Sequence, residues 1–344
     1  MKRLALVLLL FIAASLHAQN VRILTIHAAS LENNAFGDPA DQKLAVYLPP
    51  GYDVGDKRYP VVFLLHGIAD SYDTWTDGFK IPQLLDRLIT AKTIEPMIVV
   101  MPNARNRFLG SYYLNSPVTG RWEDFIAGEL VTLIDQSFRT IATPGARGVA
   151  GHSMGGFGAI HFGMTRPDVF SAVYALSPCC LDTVEDIGYG NGDAWRGFLA
   201  FHSYADADAA LQKGNFYPVA LLALLSAFSP SESAPLHVAV PVQEKRHELL
   251  PVEPQYTAFR DRFPIREVPR YRDNLRKLRA LRIDYGFADQ FAHIPVATPA
   301  FSRVLTENGV PHSLDVYDGD HRQRVLSRLE TIVFPMFSAV LDKK

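Results

Sequence analysis

Short apolar runs alternate along the chain with segments in which apolar residues recur every three or four positions. The runs end at glycine, proline, asparagine or aspartate and indicate buried strands, whereas the longer spacing predicts helices. The predicted strands are residues 45–48, 59–65, 98–101, 147–151, 171–176, 281–285 and 312–317. The predicted helices are residues 82–91, 122–138, 156–164, 219–225, 299–308 and 323–340. This alternation predicts an α/β fold with one mostly parallel sheet and helices on both faces.

Residues 181–280 interrupt the alternation and are rich in aromatic residues, proline and glycine. We interpret them as a cap inserted over the sheet edge, within one domain that spans residues 19–344. The basic stretch 260–282 has an apolar stripe at helical spacing, which favours a solvated helix face. A site for an anionic group of a substrate is the alternative for this stretch.

The composition is that of a globular protein that buries a large core. Of 344 residues, 48% are hydrophobic and 20% are charged, and the net charge of -2 gives no electrostatic attraction to nucleic acid. Residues 1–18 resemble a secretory signal, with Lys2 and Arg3 followed by an apolar run and a cleavage site after Ala18. We therefore expect a secreted or periplasmic protein without stable membrane insertion; an uncleaved anchor is the alternative.

The two cysteines, Cys179 and Cys180, are adjacent in sequence. Ordinary disulfides join residues whose α carbons are farther apart than those of neighbours, so two buried thiols are expected and a strained vicinal disulfide is the alternative. The sequence around the pair offers no further zinc ligands. No residue pattern in the chain calls for a metal or a cofactor.

The segment 151–155 reads Gly-His-Ser-Met-Gly and matches the pattern G-x-S-x-G between a predicted strand and a predicted helix. A tight turn there would hold Ser153 in a strained, exposed conformation, because the small residues let strand and helix approach closely. The hydroxyl would then stand at the carboxyl edge of the sheet, where it could attack a carbonyl carbon. The pattern alone is equally compatible with a glycine-rich turn that carries an incidental serine.

A nucleophilic serine needs a base to accept its proton and a carboxylate to orient that base. In doubly wound hydrolases these residues follow in the order serine, acid, histidine, each on a loop after a strand. His321 follows the last predicted strand and is the predicted base, and Asp289 follows the penultimate strand and is the predicted acid. Asp284, inside that strand, is the next choice of acid. Less favoured by their positions are His293, His312, Asp318 and Asp320.

The oxyanion formed during the attack requires two preorganised amide donors. The amide of Met154 directly follows the nucleophile, and that of Ile68 follows Gly67 in the loop after an early strand. His66 precedes this loop and is expected to make a structural hydrogen bond. His152 is expected to be directed away from the site by the turn.

These motifs resemble the esterase D-like branch of the α/β hydrolases, which includes feruloyl esterases, S-formylglutathione hydrolases and secreted mycolyltransferases. The resemblance covers about residues 42–180 and 281–322. It rests on the segments 47–52 (Y-L-P-P-G-Y), 63–67 (F-L-L-H-G) with Trp75, and 151–156 (G-H-S-M-G-G), and on the surroundings of Asp289 and His321. It implies an α/β hydrolase fold with Ser153, Asp289 and His321 as the triad, and with Ile68 and Met154 as oxyanion donors.

By this resemblance the chain is expected to be an exported serine esterase that hydrolyses carboxylic esters through an acyl-enzyme. Its substrate would be a small-molecule or glycan-linked ester. An acyltransferase of the mycolyltransferase type would use the same acyl-enzyme with an alcohol acceptor, and an inactive exported binding protein would keep only the fold. An intact serine, acid and histidine in the expected order favours an enzyme.

Overall fold

The computed structural model describes residues 20–344, so the predicted signal segment 1–18 lies outside the described residues. Eight strands form the central sheet: β1 (Val21–His27), β2 (Asp41–Tyr47), β3 (Val61–Leu65), β4 (Ile98–Pro102), β5 (Arg147–His152), β6 (Ala172–Leu176), β7 (Ala280–Gly286) and β8 (Ser313–Tyr317). Their order is β1-β2-β4-β3-β5-β6-β7-β8. β2 pairs antiparallel with β1 and with β4, and all other neighbours in this sheet are parallel. The predicted α/β class with a mostly parallel sheet is confirmed.

The helices are α1 (Ile81–Thr90), α2 (Trp122–Asp124, Phe125–Glu129 and Leu130–Ser137 in succession), α3 (Met154–Thr165), α4 (Gly192–Leu199), α5 (Tyr204–Gln212), α6 (Phe216–Phe228), α7 (Gln255–Arg260), α8 (Pro264–Leu275), α9 (His293–Glu307) and α10 (Val325–Arg328, Leu329–Val333 and Phe334–Val340 in succession). Shorter helical turns are Ala29–Leu31, Tyr52–Val54, Thr74–Gly78, Pro144–Ala146, Glu185–Ile187 and Pro235–His237. Two small hairpins pair Asn115–Ser116 with Gly120–Arg121, and Val242–Lys245 with Glu248–Pro251.

Helices cover both faces of the sheet, which is why the central strands β3 to β6 contain only buried residues. One apolar cluster joins the sheet to α2, α3 and the segment between β6 and β7, and the other joins it to α1 and α10. The second cluster also encloses a buried polar network. The fully buried Asp284 accepts hydrogen bonds from Arg328 Nε at 2.8 Å and from Tyr174 Oη at 2.7 Å. Asp284 therefore links β7 to α10 and to β6, away from the loop after β7.

Two elements differ from the sequence-based expectation. The helix before β8 begins at His293 rather than near Pro299, which lies inside α9. The reason is a long-range cap, since the Asp186 carboxylate accepts a hydrogen bond from the His293 amide at 2.7 Å and satisfies one of the free donors of the first turn. Strand β1 was not predicted from the pattern, because it pairs only with β2 and its exposed residues outnumber its half-buried ones.

The segment 181–280 contains α4 to α8 and one hairpin, and its description as a cap remains a prediction. The expected helix around residues 219–225 is present as α6 and is packed on the body, with most of its residues buried. No helix among the described residues has the length and apolar character needed to cross a bilayer. At the end of the basic stretch, Arg279 pairs with Asp342 at 2.6 Å and Arg276 donates to the carbonyl of Asn308 at 2.8 Å.

Candidate active site

Ser153 lies between the end of β5 and the start of α3, in a backbone conformation with φ 57° and ψ −116°. This conformation is strained for a residue with a Cβ and is held here by the close packing of strand and helix. A Cβ on Gly151 would overlap the Gly155 carbonyl, and one on Gly155 would overlap the Leu65 carbonyl. The glycines of the motif are therefore required by the approach of three backbone segments.

The backbone of Ser153 is tied to the end of the neighbouring strand. Its amide donates to the Leu176 carbonyl at 2.9 Å, and its carbonyl accepts from the Cys179 amide at 3.1 Å. These two bonds fix the turn against the carboxyl end of β6. Ser153 is 5% exposed, so the expectation that the turn leaves this residue exposed is wrong: the packing that strains the turn also covers most of the residue.

His321 and Asp289, the predicted base and acid, are in direct contact. The Nδ1 atom of His321 donates to Asp289 Oδ2 at 2.7 Å, and both side chains are almost completely buried. The other carboxylate oxygen accepts from the Phe291 amide at 3.0 Å. Because Nδ1 is engaged by the carboxylate, Nε2 is the ring nitrogen that remains for proton transfer.

Two aromatic rings pack against the His321 imidazole. The Phe291 ring packs edge-on at 4.7 Å, and the His152 ring lies at 4.4 Å, measured between centroids. His152 Nε2 also donates to the His321 carbonyl at 2.8 Å. The expectation that His152 is directed away from the site is wrong: the residue ends β5, and its ring packs against the predicted base and bonds to the backbone of the loop that carries it. Burial is the main cause that holds the pKa of His152 well below its ordinary value, and the neighbouring His321 imidazole acts in the same direction.

The predicted oxyanion donors belong to two segments that meet beside Ser153. The Asp70 amide donates to the Gly67 carbonyl at 3.3 Å, and Ala69 has a φ of 64°, so Ile68 occupies the second position of a tight turn. The Ile68 amide has no hydrogen-bond partner among the described residues. Met154 opens α3, where amides lack partners within the helix.

The contacts around this turn bring its two segments together near the serine. A Cβ on Gly67 would lie 3.3 Å from the Ser153 Cβ. A Cβ on Gly110 would overlap the Met154 sulfur and lie 3.6 Å from Ile68 Cγ1. Ile68 and Met154 thus share Gly110 as a neighbour of their side chains, and the role of their amides as oxyanion donors remains a prediction.

His66 makes the structural hydrogen bonds that its position before the turn predicts. Its Nδ1 donates to the Gly67 carbonyl at 2.7 Å, and its Nε2 accepts from the Ala104 amide at 2.8 Å. Burial lowers the pKa of His66 to about 4, so the ring is neutral under ordinary conditions. The residue stabilises the turn that carries Ile68.

The remaining candidates occupy other places. Asp284 is held by Arg328 and Tyr174 as described above, and His312 bonds to Ser302 Oγ at 2.7 Å beside the start of β8. Asp320 accepts from the amides of residues 322 and 323 within its own loop. His293, in contrast, lies next to Cys179 and Cys180; the three are the one group of His, Cys, Asp and Glu among residues 20–344 with the spacing of a metal site. The sequence offered no signal for that meeting, since 113 positions separate His293 from Cys180.

Comparison with known proteins gives one family match over most of the chain. The family described as "Putative esterase" matches residues 39–325. Esterase Rv1288 of Mycobacterium tuberculosis is 39% identical over 118 residues, which are 34% of this chain and 25% of that protein. An endo-1,4-beta-xylanase/feruloyl esterase of Xylanibacter ruminicola is 33% identical over 133 residues, 38% of this chain and 18% of that protein. The chain thus spans a quarter or less of the length of these curated relatives.

Solved structures share the fold over nearly the whole chain. A ferulic acid esterase superposes with a TM-score of 0.64 at 21% identity and covers 93% of this chain and 98% of its own. An S-formylglutathione hydrolase from Agrobacterium tumefaciens superposes with a TM-score of 0.63 at 17% identity and covers 94% of this chain and 95% of its own. The α/β hydrolase fold expected from the sequence is confirmed by these superpositions.

Proposed function

The chain belongs to this esterase family, and we propose that it is an exported serine esterase that hydrolyses carboxylic esters with Ser153, His321 and Asp289. The observation that carries the proposal is the buried 2.7 Å hydrogen bond between His321 and Asp289 in the loops after β8 and β7, together with Ser153 in a strained turn after β5. The ring of His152, the residue before Ser153, lies 4.4 Å from the His321 ring between centroids. A strained serine alone is compatible with a structural turn. A histidine that is oriented by a carboxylate is the base that such a serine needs in order to act as a nucleophile.

In the proposed mechanism the Ser153 oxygen attacks the ester carbonyl carbon while His321 Nε2 accepts the hydroxyl proton. Asp289 keeps the proton on Nδ1 and stabilises the imidazolium that forms. The Ile68 and Met154 amides donate to the oxyanion. His321 then gives its proton to the leaving alcohol oxygen, and an acyl ester on Ser153 remains.

Hydrolysis of the acyl-enzyme repeats these steps with water. His321 accepts a proton from the water as its oxygen attacks the acyl carbon, and the acid leaves when Ser153 takes that proton back. No metal or organic cofactor enters either half of this cycle. The near-complete burial of the Asp289 and His321 side chains favours the ion pair formed in the transition state, because interactions between charges strengthen where water is excluded.

We propose a small-molecule or glycan-linked carboxylic ester as the substrate. This proposal is supported by the names of a curated relative, an endo-1,4-beta-xylanase/feruloyl esterase, and of a structural neighbour, a ferulic acid esterase. Export to the periplasm or medium rests on the sequence of residues 1–18 and is tested by N-terminal sequencing of the mature protein, which should begin at Gln19.

The test is a hydrolysis panel of an aryl acetate, methyl ferulate, a long-chain ester and a thioester, run with covalent labelling by a fluorophosphonate. Ser153→Ala should abolish labelling and lower ester turnover by a factor on the order of a million. Ser226→Ala is the matched control. The hydroxyl of this buried serine donates to the Leu222 carbonyl within its own helix, so the substitution should leave labelling and turnover unchanged.

Two results would replace the proposal by an alternative. Transfer of the acyl group to an added alcohol in preference to water would make the protein an acyltransferase. Absence of labelling and turnover in the folded wild-type protein would leave a binding protein that retains only the fold.

A further inference from the structure

Cys179, Cys180 and His293 form a second cluster of chemically active side chains, separate from the proposed triad. The two sulfurs and a ring nitrogen all lie within 4.8 Å of one another, and all three residues are buried. Both cysteines are free thiols. The proposed esterase reaction uses none of the three.

The imidazole of His293 is oriented by a carboxylate on the side opposite the cysteines. Its Nδ1 donates to Asp186 Oδ1 at 2.7 Å, and Asp186 is itself fixed by the Tyr217 hydroxyl, which donates to Oδ2 at 3.0 Å. Histidines that bind metals have this arrangement, in which a carboxylate holds one ring nitrogen and leaves the other free to coordinate.

The remaining ring nitrogen, His293 Nε2, is buried and has no hydrogen-bond partner of normal geometry within residues 20–344. A buried polar atom without a partner costs free energy, and such atoms in native proteins call for an explanation. The nitrogen faces the Cys180 thiol, which is only a weak donor. A cation bound between this nitrogen and the two sulfurs would satisfy all three groups.

We propose that Cys179, Cys180 and His293 bind a zinc ion. In a tetrahedral site with Zn–S bonds of about 2.3 Å and Zn–N bonds of about 2.0 Å, ligand atoms lie about 3.5–3.8 Å apart. The present separations, within 4.8 Å, reach these values by shifts of about 1 Å or less. The fourth position of the ion would be left for water or another oxygen donor.

The net charge of the occupied site favours a divalent cation over a monovalent one. Binding converts two thiols to thiolates, so two protons leave as one Zn²⁺ enters, and the net charge of the site is unchanged. A copper(I) ion with the same ligands would leave one additional negative charge in a cluster whose sulfur atoms already experience the charges of Asp186 and Asp289. Such an excess charge is costly in a buried site.

The bound ion would join the loop after β6, which is bonded to the turn of the proposed nucleophile, to the start of α9, which follows the loop of the proposed acid. The cysteines follow β6, and the Cys179 amide already bonds to the Ser153 carbonyl. His293 opens α9, four residues after Asp289. Zinc would therefore cross-link the two sides of the active site, and the thermal unfolding temperature should rise when it binds.

The experiment titrates zinc into the fully reduced protein against a chromogenic chelator, and then repeats the titration with cobalt(II) to record thiolate-to-metal charge-transfer absorption. One zinc per chain with this absorption is expected. Cys180→Ser and His293→Gln should each weaken binding by a factor on the order of 100 or more, and Asp186→Asn by about 10–100-fold. His312→Gln is the matched control, because this histidine lies near the far end of α9 and should leave binding unchanged.

Circular dichroism of each variant shows whether weaker zinc binding results from loss of a ligand or from unfolding. Cys179→Ala is included because alanine is a small apolar replacement for a buried thiol and should leave the fold intact. Failure of the reduced wild-type protein to bind zinc would overturn the proposal. Charge-transfer absorption that persists in Cys179→Ala and in Cys180→Ser would also overturn it. None of these readouts depends on esterase activity, so this result and that of the hydrolysis panel are independent.

Discussion

His66→Gln should make the stability of the protein less sensitive to acid. The His66 ring is buried, and burial lowers its pKa from 6.5 to about 4. As the pH falls through 6.5 the unfolded chain takes up a proton that the folded ring does not accept until about pH 4. The unfolded state therefore binds more protons in this window, and the free energy of unfolding decreases as the pH falls.

The size of the effect follows from the two pKa values. A difference of one unit corresponds to about 1.4 kcal/mol, so the full change from 6.5 to about 4 corresponds to about 3 kcal/mol. Between about pH 7.5 and about pH 4.5 the loss attributable to His66 is about 2.5 kcal/mol. The structural reason is the complete burial of the ring, where a charge is poorly solvated. Protonation of Nε2 would also remove the hydrogen bond that this atom accepts from the Ala104 amide.

The measurement is urea unfolding at the two pH values, followed by the fluorescence of the three tryptophans. His66→Gln should be less stable than wild type at the higher pH, because it loses the bonds to Gly67 and Ala104, but should lose about 2.5 kcal/mol less on acidification. His27→Gln provides a contrast of opposite sign, since bonds to Glu32 and Asp41 raise the pKa of the exposed His27. An equal loss of stability in wild type and His66→Gln would refute the reasoning.

Three further outcomes are expected. Arg328→Met leaves Asp284 as an uncompensated buried charge and should lower the free energy of unfolding by about 3–5 kcal/mol, measured by urea unfolding. Gly155→Ala forces a Cβ onto the Leu65 carbonyl, and should cost about 1–3 kcal/mol in stability and reduce fluorophosphonate labelling. Phe291→Ala removes the ring packed on the proposed base, so steady-state kinetics should show kcat lowered about two- to tenfold with little change in KM.

Much of the fold could be predicted because the sheet is buried on both faces. The central strands β3 to β6 are continuous apolar runs, and the structure reproduces their predicted positions to within two residues at each end. The local pattern of apolar residues did not predict elements whose position depends on a residue distant in sequence or whose apolar signal is weak. The start of α9 depends on Asp186, which is 107 positions away in sequence, and β1 is an exposed edge strand with a weak apolar signal.

The same distinction applies to the candidate site: some of its features follow from the order of the strands, and others depend on tertiary packing. The loop positions of Asp289 and His321 follow from strand order, and the structure brings the two side chains into contact; their catalytic roles remain proposals. Sequence order could not supply side-chain direction, which is why the packing of His152 against the predicted base was missed. It also could not show His293 meeting the cysteines, because that contact depends on how the segment after β6 packs against α9.

The strand order has a consequence for when the protein becomes active during folding. His321 follows β8, the last strand of the sheet along the chain, and its carbonyl accepts a hydrogen bond from His152, which lies 169 positions earlier. A folding intermediate in which β5 to β7 have formed already contains the proposed nucleophile and acid, yet it lacks the histidine that we propose takes up the hydroxyl proton. On the proposed mechanism, ester cleavage begins only after β8 docks against β7, so a late folding step switches the reaction on.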